Sequence, residues 1–211
     1  MFHSNRDGDF EVFVMNADGT EQTQLTHNDS HEFDPAWSPN GKQIVFNSFP
    51  ADFSDGEIFV MNADGTGIVQ LTNNDAHDFA TTWSPNGQEI AFSSNRDGAD
   101  DAYIMNADGS GVRRLTTNEY VGGVTAWSPN GKQIAFISYR DYVLLGPAGD
   151  LEIFVMNADG TGITQLTNNT VDDEGDHAGW SPNGKLFSFS SRRLGADLDI
   201  FGGDLDIFVM N

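Results

Sequence analysis

The chain of 211 residues contains no cysteine, which excludes disulfide bonds and thiolate metal sites. It has no apolar run near the roughly 18 residues that a membrane-spanning helix requires, so membrane insertion is not expected. Basic residues are scarce: ten Lys and Arg face 32 Asp and Glu, a formal net charge of −22. Such a charge repels nucleic acid and attracts cations or a basic partner. The first 20 residues lack a secretory apolar stretch and match the interior of a repeat, which indicates a mature segment or a fragment.

Two short phrases recur along the chain. Trp-Ser-Pro-Asn-Gly occurs four times, and Val-Met-Asn-Ala-Asp-Gly or its Ile variant also occurs four times, with a partial fifth copy at 209–211. The methionines of the second phrase lie between 44 and 54 residues apart, which is the length of a four-stranded propeller blade. Helical repeats of this length are excluded because each unit carries two Gly-bearing turns beside β-branched and aromatic runs.

The two phrases supply the turns of each unit. Pro and Gly in Ser-Pro-Asn-Gly suit a tight turn between antiparallel strands, and Asp-Gly in the second phrase does the same for the next pair. In the second unit this predicts strands A to D at about 33–37, 43–48, 57–62 and 68–72. The predicted fold class is all-β, a propeller of four-stranded antiparallel blades.

Alternation within strand B predicts how neighbouring blades pack. Ile44 and Phe46 point to one face and Val45 to the other, and the later units repeat this alternation. Large and small faces then interlock between sheets. The four repeated tryptophans are expected to act as structural wedges between blades: Trp37, Trp83, Trp127 and Trp180.

These phrases resemble the TolB-type propeller repeat, also called PD40 or WD40-like. Its pattern is W-S-P-[DN]-G-x-x-[IL]-[AV]-F, then I-[YF]-V-[MD]-[ND]-x-D-G and a Leu-Thr pair, found here at 25–26, 71–72, 115–116 and 166–167. The resemblance covers nearly the whole chain and implies a propeller. Such propellers serve in periplasmic protein complexes and as peptidase accessory domains, so the resemblance implies a periplasmic or extracellular location.

The number of strands does not divide into whole blades. The chain begins inside strand B of one unit and stops inside strand C of another, which predicts 18 strands in a single propeller domain 1–211. The repeat units are 1–31, 32–76, 77–119, 120–171 and 172–211. Five blades with incomplete terminal blades are expected first; a four-blade ring with spare strands, or completion by another chain, are the alternatives. Unpaired edges favour a homo-oligomer or a longer parent chain.

Variation in length falls in the B–C loops, which share one end of the blades with the D–A connections. The longest are 139–150 and 192–204, and variable loops more often bind partners than tight turns do. We assign 26 of the 32 carboxylates to this loop end, and Arg113 and Arg114 to the tight-turn end. The loop end is therefore expected to be strongly acidic. A solvated, soluble surface is the alternative interpretation.

Acidic and imidazole side chains collect just before strand A, which is expected to line the central channel. The candidate binding residues are His31, Glu32, Asp34, His77, Asp78, Asp172, Asp173, Glu174, Asp176 and His177. Carboxylates from several blades could hold Ca²⁺, with Glu32, Asp34, Asp78 and Asp176 as candidate ligands. The third unit has Tyr120-Val121-Gly122-Gly123 there, which breaks any ring of ligands.

Sequence motifs of common enzymes are absent. There is no Gly-x-Ser-x-Gly, no phosphate-binding Gly-Lys-Ser/Thr and no His-Glu-x-x-His. We therefore expect a non-enzymatic scaffold that binds a protein or peptide, a basic one in particular, through its acidic loop face. The alternatives are a structural or evolutionary fragment that self-assembles through incomplete blades, and a propeller hydrolase or lyase.

Overall fold

The computed structural model describes residues 1–6, 8–117, 119–139, 150–169, 172–191 and 206–210. The regular secondary structure assigned within these ranges consists of β-strands, without a helix. No helix in the described part of the chain has the length and apolar character needed to cross a membrane.

The strands of the first two sheets are β1 Phe2–Ser4, β2 Glu11–Val14, β3 Thr23–Gln24, β4 His31–Trp37, β5 Gln43–Phe49, β6 Glu57–Asn62 and β7 Val69–Gln70. Those of the third and fourth sheets are β8 Asp78–Trp83, β9 Glu89–Ser94, β10 Asp101–Asn106, β11 Arg113–Arg114, β12 Val121–Trp127, β13 Gln133–Ser138, β14 Glu152–Asn157 and β15 Thr164–Gln165. The fifth sheet contains β16 Asp173–Trp180, β17 Phe187–Ser191 and β18 Asp206–Met210.

Each sheet is a meander in which every strand pairs with the next one along the chain. The orders are β1-β2-β3, β4-β5-β6-β7, β8-β9-β10-β11, β12-β13-β14-β15 and β16-β17-β18. Five blades, with three-stranded first and last sheets among the described residues, confirm the predicted fold class and strand count. The four strands predicted for the second repeat, 32–76, are also confirmed.

The tight turns follow the chemistry expected from their residues. In the first turn of the second sheet, Gly41 N donates to Ser38 O at 2.8 Å and Gly41 has a φ of 67°. Gly65 of the second turn has a φ of 83°, and a Cβ there would lie 2.9 Å from Leu25 O of the preceding blade. Glycine is therefore required at position 65 both by the backbone angle and by the close approach of a neighbouring chain segment.

The chain divides into two compact units. The first unit comprises Met1–Gly98 and Tyr103–Arg113, and the second comprises Ala99–Ala102 and Arg114–Asn211. The single domain 1–211 stays a prediction.

The alternation predicted for strand B is confirmed in the first unit. Ile44 and Phe46 pack with Val12 of the preceding sheet. Val45 faces the other way and packs with Trp83 and Phe92 of the following sheet. Opposite faces of β5 therefore serve two different layers of the core, as period-two side-chain alternation requires.

The tryptophans do not all pack as wedges. Trp83 is 7% exposed, and its Nε1 donates to Ala36 O of the preceding sheet at 3.2 Å. Trp37 is 40% exposed, so the prediction is wrong for this residue. The described β1–β3 sheet has no strand before β1, and hence no strand A carbonyl equivalent to that of Ala36. In the second unit, Trp127 is buried, and Trp180 is half-buried against the core cluster that contains Ile137 and Phe187.

Candidate binding surface

The D–A connections are held by a hydrogen bond that recurs in four sheets. The Thr of each Leu-Thr pair accepts a hydrogen bond through Oγ1 from a backbone amide near the start of strand C. The four bonds, each 2.9 Å long, join Thr26 to Val12, Thr72 to Ile58, Thr116 to Ala102, and Thr167 to Ile153. The Leu-Thr pair therefore anchors the connection at the loop end of the blade.

An asparagine then bridges two carboxylates. Asn74 N donates to Glu57 Oε1 at 2.6 Å, and Asn74 Nδ2 donates to Asp78 Oδ2 at 2.7 Å. The same bridge is formed by Asn28 between Glu11 and Glu32, and by Asn169 between Glu152 and Asp173. Each bridge ties strand C of one blade to strand A of the next.

These carboxylates are not part of an exposed face. Glu32, Asp78 and Asp173 each have an exposure of 0%. Each accepts a hydrogen bond from the side-chain amide of the bridging asparagine, and Glu32 accepts another from Ser48 Oγ. Buried acids are usually satisfied by such bonds. Burial raises the pKa of Glu57 and of Glu152 above the usual value. The three residues predicted to contact a partner therefore stabilise the connections and are inaccessible to it.

The second bridge is neutralised by an arginine. Arg96 Nη2 contacts both carboxylate oxygens of Asp78, at 2.7 and 2.9 Å, and its guanidinium lies 5.0 Å from the ring centroid of Tyr103. In the preceding sheet, Pro50 occupies the position of Arg96. Burial first, and the neighbouring Glu11 next, raise the pKa of Glu32 to about 7.

The third connection differs because Val121 stands where the other blades have an acid. Asp101 is buried, and it accepts hydrogen bonds from Arg114 and from Thr116 Oγ1. Arg114 occupies the position of the glutamine that precedes the Leu-Thr pair in the other repeats. Its guanidinium therefore reaches the loop end of the blade, and its assignment to the tight-turn end is wrong.

Three of the predicted residues are accessible on the first unit. His31 and His77 are half-buried, and their Nδ1 atoms accept hydrogen bonds from Phe10 N at 3.2 Å and Gly56 N at 3.4 Å. Asp34 is exposed at a φ of 50°, and its Oδ2 accepts a hydrogen bond from Asn47 Nδ2 at 3.2 Å. His31 is the first residue of β4, and Asp34 lies in the irregularity of the same strand between Phe33 and Ala36.

The predicted residues of the second unit are described only in part. Asp172 is half-buried, and its Oδ1 accepts a hydrogen bond from Leu151 N at 3.0 Å. The side chains of Glu174, Asp176 and His177 lie outside the described residues, as do the long loops 140–149 and 192–205.

Metal binding stays a prediction. Among the side chains that the structure describes, no group of three or more His, Asp or Glu is placed to hold a metal ion. The Asn-Ala-Asp-Gly segment is accounted for by its turn, because Asp64 Oδ1 accepts hydrogen bonds from Thr66 N at 3.0 Å and Thr66 Oγ1 at 2.6 Å. These bonds lower the pKa of Asp64.

Sequence reasoning missed the rings that surround the two histidines. Seven rings form a connected cluster on the loop end of the first unit, here called the aromatic platform: His3, Phe10, His31, Phe33, Phe49, Phe53 and His77. Phe49 lies over Gly56, where a Cβ would come within 2.3 Å of its ring. The available signal was four phenylalanines beside the loops of the first two repeats, of which only Phe33 has a phenylalanine, Phe79, at the same position of the next repeat.

Comparisons with known proteins agree with this architecture. Residues 50–145 match the family model PD40, TolB beta propeller domain. A 38-residue segment is 45% identical to dipeptidyl-peptidase 5 of Porphyromonas gingivalis, covering 18% of this chain and 6% of that protein.

Solved structures show the same fold at low sequence identity. The crystal structure of TolB from Acinetobacter baumannii superposes with a TM-score of 0.74 at 21% identity, over 94% of this chain and 48% of that one. The crystal structure of a nidogen/laminin complex gives a TM-score of 0.68 at 16% identity, over 94% of this chain and 72% of the matched chain. The chain therefore spans about half the length of that TolB and a small part of the peptidase.

Proposed function

We propose that the chain, which resembles the TolB-type (PD40) β-propeller repeat proteins, is a non-enzymatic module that binds a protein or peptide. The binding surface in this proposal is the loop end of the first unit. The observation that carries it is the partial exposure of the aromatic platform, together with Asp34, Asp52 and Asp55, in contrast to the buried carboxylates Glu32 and Asp78.

The buried network supports the proposal by making the surface rigid. The bridges of Asn28 and Asn74 fix both D–A connections of the first unit. His31 and His77 are oriented by backbone amides. Side chains held in this way lose little conformational freedom when a partner binds, which favours affinity.

The partner expected from the charge is a basic protein or peptide. The first unit contains 17 Asp and Glu against four Lys and Arg. Such a field attracts cations and repels nucleic acid. The family supports a periplasmic or extracellular location, because TolB-type propellers work in periplasmic complexes.

Selection from a random-sequence peptide library tests the proposal with a matched pair of variants. Asp52 and Asp64 are both exposed, and each caps a turn by accepting a backbone hydrogen bond through Oδ1, from Ser54 and Thr66 respectively. Asp52 lies in the B–C loop and Asp64 in a tight turn. Asp52→Asn and Asp64→Asn each keep the capping oxygen and remove one charge.

The proposal predicts that selected peptides bind Asp52→Asn more weakly than wild type, and Asp64→Asn as wild type. Failure to select any peptide, or equal effects of the two variants, would contradict binding at the loop end.

The partial identity to a dipeptidyl-peptidase supports a second candidate, the propeller portion of a hydrolase. Incubation of the purified chain with peptide and glycan substrates, with and without Ca²⁺, tests it. Turnover by the chain itself would replace the binding proposal with an enzymatic one.

Exposed apolar residues on an edge strand support a third candidate, a fragment that self-assembles. Ile207 and Val209 of β18 are 80% and 61% exposed, and unpaired strand edges favour pairing with another chain. Light scattering that shows a clean monomer would contradict this candidate.

A further inference from the structure

We propose that the aromatic platform is a docking surface for a cationic peptide segment, with an arginine or lysine side chain lying on the rings of Phe33 and Phe53. This inference rests on the proposed peptide-binding function and names the chemistry of the partner. The cation would stack on the rings while the neighbouring carboxylates balance its charge.

The rings of the platform form one continuous surface. Phe53 stacks on His31 with ring centroids 4.7 Å apart and an interplanar angle of 8°. Phe33 contacts Phe10 at 4.9 Å and Phe49 at 5.8 Å. The rings of this cluster come from three strands and from the loops between strands, so folding is needed to assemble it.

The platform stays partly open to solvent. None of its seven residues is buried, and Phe53 is 48% exposed. The other exposed member is His3, and the remaining five rings are half-buried. A contiguous apolar patch that stays open to solvent often marks a binding site.

The loop that carries Phe53 is already ordered. Phe53 N donates to Pro50 O at 2.8 Å, and Ser54 N donates to Asp52 Oδ1 at 3.1 Å. Phe53 has a φ of 55°, a left-handed conformation that is costly for a bulky residue. Strain of this kind persists where surrounding contacts enforce it, and it concentrates at functional sites.

The fold itself does not require the platform. The residue before strand C is Phe10 in the first repeat and Gly56, Asp100 and Leu151 in the later ones. Its carbonyl accepts a hydrogen bond from a backbone amide at the start of strand A of the next sheet, namely that of Glu32, Asp78, Val121 and Asp173 respectively. The later repeats form the same kind of blade without an aromatic ring at this position. The ring at position 10 is therefore surplus to blade packing.

The charge around the platform suits a cation. Asp34 is exposed and follows Phe33 within β4, while the exposed Asp52 and the half-buried Asp55 lie in the B–C loop that carries Phe53. A cationic side chain on an aromatic face gains from the negative potential of the ring, and nearby carboxylates add to that attraction.

The molecule already binds its own arginines in this way. The guanidinium of Arg96 lies 5.3 Å from the ring centroid of Phe92 and 5.0 Å from that of Tyr103 while it pairs with Asp78. Arg6 lies 4.6 Å from the centroid of Phe13. Aromatic faces combined with a carboxylate thus hold a guanidinium within this same unit.

Fluorescence anisotropy with two labelled peptides tests the proposal. The first peptide alternates glycine and arginine, and the second replaces each arginine with citrulline, which is neutral and nearly isosteric. The arginine peptide is expected to bind at least about tenfold more tightly, because citrulline lacks the charge needed for cation–π and ionic contacts.

Variants of Phe53 separate the platform from general attraction by an acidic protein. Phe53→Ala and Phe53→Leu leave every charge in place, and Leu keeps apolar bulk without a π face. Each is expected to weaken binding of the arginine peptide by about fivefold to thirtyfold. Ile68→Ala is the matched control, because Ile68 is equally exposed at 48% and follows a tight turn. It should bind as wild type.

Unfolding midpoints establish that the variants are folded, and Phe53→Leu decides the matter if Phe53→Ala is unstable. Equal affinity for the two peptides, no measurable binding of the arginine peptide, or equal binding by Phe53→Leu and Ile68→Ala would each overturn the proposal. The library selection could also yield uncharged peptides whose binding is weakened by Asp52→Asn but not by the Phe53 variants. Such peptides would overturn this proposal while leaving the proposed function intact.

Discussion

Glu11 and Glu32 face each other with both carboxyl groups buried, at 2% and 0% exposure, and the Oε2 atom of each lacks a hydrogen-bond donor within the described residues. Oε1 of Glu32 accepts hydrogen bonds from Asn28 and Ser48. Burial first, and then Glu11, raise the pKa of Glu32 to about 7. Glu32 therefore keeps its proton over a pH range in which ordinary glutamates are ionised.

Replacing Glu32 with glutamine should change how stability depends on pH. The folded protein binds the proton of Glu32 more tightly than the unfolded chain, so the free energy of unfolding falls as pH rises from 4.5 to about 7. Each pKa unit corresponds to about 1.4 kcal/mol, so the full effect is about 3 kcal/mol. The side chain at position 32 of Glu32→Gln cannot ionise. The free energy of unfolding of this variant should therefore rise relative to that of wild type by that amount between pH 4.5 and about 7. Urea unfolding at several pH values measures the difference.

The control for this experiment is Asp64→Asn, which removes an exposed carboxylate whose pKa is lowered by hydrogen bonds from Thr66. Its difference from wild type should stay nearly constant across the same pH range. A constant difference for Glu32→Gln as well would show that Glu32 does not hold a proton in the folded protein.

An arginine at position 50 should supply the charge that the first bridge lacks. The stacked rings of Phe46 and Phe59 lie 5.8 Å apart, much as Phe92 and Tyr103 do beneath Arg96 at 5.7 Å. Pro50→Arg should raise the free energy of unfolding by about 1 to 2 kcal/mol above pH 7, where Glu32 is otherwise ionised without a cation. Pro50→Gln loses the proline without adding charge and should show no such gain. Equal stability of the two variants above pH 7 would contradict the prediction.

Removal of Arg96 should be costly because Asp78 is left buried. The ion pair is 2.7 Å long, and the side chain of Asp78 is 0% exposed. Arg96→Ala is expected to lower the free energy of unfolding by about 3 kcal/mol. Combination with Asp78→Asn should recover part of this loss, because the buried charge is then absent.

Arg113→Ala serves as the comparison for Arg96→Ala. Its pair with Glu89 is 3.7 Å long, and the two side chains are 46% and 35% exposed, so its loss should cost less than about 1 kcal/mol. Similar losses from the two arginine variants would show that burial of Asp78 is not what makes Arg96 important.

Two tryptophans offer a test of the contact between blades. Trp83→Phe removes the hydrogen bond from Nε1 to Ala36 O, and should cost about 1 kcal/mol beyond the lost ring area. Trp37→Phe changes a side chain that is 40% exposed and should have a smaller effect. Circular dichroism during denaturant unfolding measures both. Equal losses would indicate that the exposed tryptophan is as important to packing as the buried one.

The sequence located the site region but not the roles of its residues. His31, Asp34 and His77 were placed at the loop end, and the structure has them there. Glu32 and Asp78 were expected to face a partner and instead are buried. Spacing along the chain cannot distinguish these cases, because exposure depends on which residues of the neighbouring sheet cover each side chain.

The repeated phrases by themselves determined the strands, the turns and the five sheets. Each of these depends on residues close together in the chain: Gly and Pro in the turns, and alternating apolar residues in strand B. Only the tertiary structure decided that Glu11 meets Glu32, that Pro50 leaves this pair without an arginine, and that Phe53 stacks on His31. Glu11 and Glu32 belong to neighbouring sheets, whereas Pro50, Phe53 and His31 meet within one sheet and its B–C loop. Distances of both kinds exist only after the chain has folded.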